Sequence, residues 1–195
     1  MTAPARTAPL LRAWITTVTV AELVGFTVPV LVGAVTADAP TAVALPGLVA
    51  AGAAEGALLG WGQARVLRRV VPGLPRVRWT AHTAAGTALA YLLGMLPSTL
   101  DAPWGAAVVG LPLLLSLGLA QFPLLRGRVR WAAHWVWVTA VAWVAGMAVF
   151  LCFATPLWHE GQQTWQAVAI GIAGGALMAT TAAVVSGLAL VRLSR

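Results

Sequence analysis

Two carboxylates are the residues of this chain best placed to do chemistry. Glu22 lies in the apolar run 14–37 and Glu55 in the run 43–67. At 1.5 Å per helical residue they sit about 12 Å and about 18 Å from the arginine-bearing ends of those runs. A charge near the centre of a bilayer costs about 2.5 to 3.5 kcal/mol, so such acids face a protein interior and either find a partner or keep their proton. They are therefore candidates for binding a ligand or moving a proton. The structural alternative is that each carboxyl takes hydrogen bonds from threonines such as Thr16, Thr17 or Thr19 and ties two helices together.

A second polar set lies nearer the arginines: Gln63, Arg65, His82, Gln121 and His134. With the glutamates, Gln63, His82, Gln121 and His134 would form a ligand-binding pocket open to the cytoplasm. The more economical reading is that amides and imidazoles near helix ends satisfy neighbouring backbone groups. His159 and Glu160 form one adjacent pair, which lacks metal-ligand spacing and reads as a solvated turn. The single Cys152 supports neither a disulfide nor a thiolate metal site, and no metal or cofactor is expected. Phosphate loops, zinc-protease helices and nucleophile elbows are missing from the sequence. No catalytic residue is assigned, and the balance leans away from an enzyme.

The segments that carry these residues follow from composition. Of 195 residues, 60% are hydrophobic and 9% charged, which is far too apolar for a water-soluble domain of this size. A hydrocarbon core roughly 30 Å thick needs about 20 apolar residues per helical span, and 14–37, 43–67, 79–96, 104–125, 131–153 and 164–191 each meet that need approximately. Lipid offers no hydrogen bonds to a bare backbone, and runs this long are not barrel strands. The expectation is an all-α, single-domain bundle of six transmembrane helices, with little protein outside the bilayer. The first run contains Glu22 and is too long for a signal-peptide core.

All twelve positive residues are arginines on one set of segment ends: Arg6 and Arg12, Arg65 to Arg78, Arg126 to Arg130, Arg192 and Arg195. The other ends carry Asp38, Asp101, His159 and Glu160. That asymmetry predicts a multi-pass protein of the bacterial inner membrane with both termini cytoplasmic. It also assigns the net charge of +7 to anionic lipid headgroups rather than nucleic acid. Trp14, Trp79 and Trp131 at the inner ends, and Trp104, Trp158 and Trp165 near the outer ends, read as interface anchors.

The sequence repeats itself. Residues 76–95 match 128–147 at 11 of 20 positions, including His82 with His134. Upstream, Leu59, Gly60, Gln63, Leu67 and Arg68 recur as Leu117, Gly118, Gln121, Leu125 and Arg126. Helices two and three are thus a hairpin copied as four and five (57–97 and 115–149), in parallel rather than inverted orientation. Helix one follows the same pattern thinly, which aligns Glu22 with Tyr91 and Trp143. Small residues at four-residue spacing, as in Gly52, Gly56 and Gly60 or Gly171, Gly175 and Ala179, form glycine-zipper-like stripes for close helix contact. Faces bearing Gly86 and Gly146 should turn inward with His82 and His134.

The repeated Gly-x-x-Gln-x-x-x-Leu-Arg hairpin, Gly60 to Arg68 and Gly118 to Arg126, resembles a group of small polytopic membrane proteins of actinobacterial type. The resemblance implies a membrane fold and brings no activity with it. Three functions are then open: small-molecule or proton-linked binding and transport; a membrane-embedded subunit or regulator that docks to other helices or to a second copy; and an enzyme using carboxyl acid chemistry on a lipid or terpenoid. The first leads because of Glu22 and Glu55.

Overall fold

The computed structural model describes residues 3–102 and 104–194, without the side chains of residues 3–6 and 106. Arg195 therefore lies outside the described residues, as does the side chain of Arg6. Six helices account for almost all of the rest: α1 (Ala3–Val35), α2 (Thr41–Leu67), α3 (Arg76–Thr99), α4 (Gly105–Leu125), α5 (Ala132–Ala154) and α6 (Thr164–Leu193). A 3-10 turn, Thr155–Leu157, follows α5, and the described residues contain no strand. Five helices are long and apolar enough to cross a membrane. The exception is α3, whose first half carries Arg76, Arg78, Thr80, His82, Thr83 and Thr87. Helix α1 begins eleven residues before the apolar run read from the sequence, because a helix continues past the hydrocarbon; the other ends differ by three residues or fewer.

Each helix packs on its chain neighbours and α6 packs on α1, which closes the six into a ring. Glycines set the antiparallel register. Gly52, Gly56 and Gly60 of α2 lie against Tyr91, Thr87 and Thr83 of α3, while Gly175 and Gly187 of α6 lie against Phe26 and Trp14 of α1. A Cβ at Gly56 would stand 2.8 Å from the Thr83 carbonyl oxygen, and one at Gly86 would stand 3.0 Å from Leu117 Cα in α4. Helices can approach this closely only where the side chain is absent. With every neighbouring pair antiparallel, the α2–α3 and α4–α5 turns and the described arginines share one end of the ring. In those turns Gly73 and Gly127 take φ of +72° and +79°, the left-handed region that glycine enters without steric cost.

Burial is uneven along the ring. The arginine half is a dense core of Trp14, Trp79 and Trp135 with Leu67, Leu125 and Leu190. Trp14, Trp79 and Trp131, expected at the lipid interface, are instead buried there. The reason is that the indoles find partners inside: Trp14 stacks edge-on to Trp135 at 5.7 Å, and Trp131 packs on Trp135 at 5.8 Å. Trp104, Trp158 and Trp165 at the other end are exposed. Outward faces are rich in exposed apolar residues, including Val20, Leu31, Leu111, Leu119, Trp137, Val141 and Leu151. So much bare apolar surface suits lipid and would drive association in water.

Candidate functional site

Glu22 and Glu55 are brought together by a glycine. A Cβ at Gly25 would lie 3.1 Å from both the Cα and the carbonyl oxygen of Glu55, so α1 meets α2 backbone to backbone one turn beyond Glu22. Both glutamates are buried, at 3% and 1% exposure, and their carboxyls adjoin. Glu55 accepts a 2.7 Å hydrogen bond from the Tyr91 hydroxyl of α3, whose ring occupies the space left by Gly52. Apart from the Glu55 carboxyl beside it, neither oxygen of Glu22 has a hydrogen-bond partner among the described residues. Threonines do not supply one: Thr16 donates to the Arg12 carbonyl instead.

These carboxyls border two cavities stacked along the ring. The larger, about 350 Å³, is lined by residues of all six helices, among them Phe26, Glu55, Ala90, Tyr91, Leu113, Trp143, Met147 and Met178. A volume of this order accommodates a small ligand. Its wall is apolar apart from Glu55, Tyr91, Thr87 and Ser116. The smaller, about 30 Å³, lies toward the arginine end, where Glu22, Gln63, Thr139 and Ser186 line it. Leu117, Trp143 and Met178 contribute to both walls and separate the two spaces.

Below the small cavity a polar layer closes the bundle. Gln63 Oε1 accepts from Trp79 Nε1 at 3.2 Å and from Gln121 Nε2 at 2.8 Å. Gln121 Nε2 also donates to Thr83 at 3.0 Å, while Gln121 Oε1 accepts from Trp135 Nε1 at 2.7 Å. An indole nitrogen only donates, so the two tryptophans fix which way both amides point. Trp14 Nε1 donates to Ser186 at 3.1 Å in the same layer.

The six sequence candidates thus separate into three groups. Glu22 and Glu55 adjoin each other at the cavities. Gln63 and Gln121 bond to one another in the sealed layer, and do not open to the arginine end; only Gln63 reaches a cavity. His82 is half-buried with Nδ1 2.6 Å from the Ala120 carbonyl of α4, and His134 is exposed; neither lines a cavity. Arg65 is exposed as well and stacks with Arg76 on the Trp61 ring, at 5.7 and 4.5 Å.

Tyr91 and Trp143 line the site without having been singled out. The repeat held their signal: the alignment that sets Glu22 against Tyr91 and Trp143 marks three positions that all reach the cavities. Among the described residues no three His, Cys, Asp or Glu side chains gather as a metal site requires. No family model, curated protein or solved structure matches the chain.

Proposed function

We propose that this chain is a multi-pass protein of a bacterial inner membrane that binds a small, mostly apolar molecule in the central cavity and moves it in step with a proton. The observation that carries this reading is the Glu55–Tyr91 pair set in the wall of an apolar cavity at the centre of the ring, with a second buried carboxyl beside it. Apolar walls provide affinity and one polar pair provides orientation, while adjoining carboxyls in low dielectric are a natural store for a proton. In this reading all six helices span, the arginine end is cytoplasmic and in contact with anionic headgroups, and α2–α3 and α4–α5 are duplicated hairpins. The glycine faces do not favour a docking subunit, since Gly52, Gly56, Gly60, Gly175 and Gly187 are used within the ring.

The test uses tert-butylbenzene and 4-tert-butylphenol as probes, with Trp143 fluorescence as the signal. Both should bind, the phenol about fivefold more tightly for its added hydrogen bond to Glu55. Ala90→Phe should fill the cavity and abolish both. A Glu55→Leu variant, which removes the acceptor, should purify normally and lose the preference for the phenol. Unchanged binding in a well-folded Ala90→Phe protein would sink the proposal.

The adjoining carboxyls at an apolar cavity also favour a second reading, acid catalysis on an unsaturated lipid chain. Deuterium entering a prenyl chain incubated with the protein in heavy water would support it; an unlabelled chain would remove it.

A further inference from the structure

The cavity's charge inventory narrows the ligand class, on the reading that the cavity binds a ligand at all. Among the described residues, titratable groups reach the two cavities from three helices: Glu22 from α1, Glu55 from α2 and Tyr91 from α3. Among the described residues, helices α4, α5 and α6 contribute none, and no Arg, Lys or His lines either space. A carboxylate formed here therefore has no resident counter-charge. Burying an unpaired charge is costly, so a positively charged ligand is the partner these carboxyls lack. Glu22 makes the same point independently. Its two oxygens are buried at 3% residue exposure against the small cavity, with no hydrogen-bond partner among the described residues beyond the Glu55 carboxyl.

The remainder of the large cavity suits an organic cation. Phe26, Tyr91 and Trp143 offer aromatic faces, which attract ammonium groups through the ring quadrupole. Met95, Met147 and Met178 add polarisable thioethers that adapt to varied shapes. An anion would meet only acids and a phenol, and a neutral ligand would leave Glu22 as it is.

We propose that the central cavity takes a lipophilic organic cation, one aromatic or branched alkyl group carrying a single quaternary or protonated nitrogen, in exchange for a proton from the Glu22–Glu55 pair. The ligand brings one positive charge. One carboxyl O–H bond breaks, its proton leaves to water, and the carboxylate that remains is the counter-charge. The site is neutral before and after.

Benzyltrimethylammonium and its neutral carbon isostere, neopentylbenzene, separate the possibilities, since the first cannot itself release a proton. In weakly buffered solution with a pH dye, the wild-type protein should release about one proton per bound cation, and its affinity should rise about tenfold per pH unit over the range in which the empty pair still holds that proton. Neopentylbenzene should bind with no proton released. Glu55→Gln should weaken the cation roughly 30-fold and leave the isostere unchanged. Cation binding without proton release, or an isostere that binds at least as tightly as the cation, overturns the inference, and wild-type protein alone suffices to find either. If only neopentylbenzene binds, the ligand cavity stands and the cation does not. If neither probe binds, the ligand cavity falls as well.

Discussion

Gln63 and Gln121 show how polar side chains can satisfy one another inside an apolar bundle. Each accepts from a donor-only indole, and Gln121 then joins them by giving its amide hydrogens to Gln63 and Thr83. Replacing Gln63 by Leu would strand the Trp79 N–H and one hydrogen of Gln121. Each buried donor left unpaired costs about 1 to 3 kcal/mol, so Gln63→Leu should lower the unfolding midpoint in mixed micelles far more than Glu22→Gln does. Equal midpoints would show that the layer is not what closes the bundle. The repeat alone would have paired Gln121 with Trp131, which aligns with Trp79; the structure uses Trp135, one turn along, in the copy that has six fewer residues between Gln121 and Trp131 than between Gln63 and Trp79.

Close packing at the scale of the helices depends on where side chains are missing. A Cβ at Gly60 would stand 2.7 Å from Thr83 Cβ and 3.0 Å from Thr80 Cα, whereas one at Gly110 would meet nothing within 4 Å. Gly60→Ala should therefore push α2 from α3 and destabilise by about 1 to 3 kcal/mol. Gly110→Ala should be neutral or stabilising by up to about 1 kcal/mol, from helix propensity alone. Matching midpoints for the two variants would refute this account of the interfaces. The stripes were visible in the sequence as small residues four apart, and in α2 and α6 they do face neighbouring helices. The histidine faces were not so readable: Gly86 packs on α4 and Gly146 on α6, yet His82 reaches only a backbone carbonyl and His134 points out of the bundle.

For the whole molecule, the segregation of arginine turns from acidic ones yields an orientation that labelling can test. In a Cys152→Ser background, Pro72→Cys lies in an arginine turn and Glu160→Cys in an acidic one, both exposed. A membrane-impermeant maleimide applied to intact cells should mark Glu160→Cys and spare Pro72→Cys; the reverse pattern would invert the proposed topology. Apolar run length and the placement of arginines determined the helices and the end of the ring they share, because each helix must satisfy its own backbone and strongly hydrated guanidinium groups stay out of hydrocarbon. Only the tertiary structure decided what lies inside. It brought Glu22 beside Glu55, moved three tryptophans from the expected interface into the core, and left the larger cavity in the half of the bundle away from the arginines. Facing lipid and facing another helix demand the same apolar side chains, so composition is silent about which face of a helix turns inward until the six close on one another.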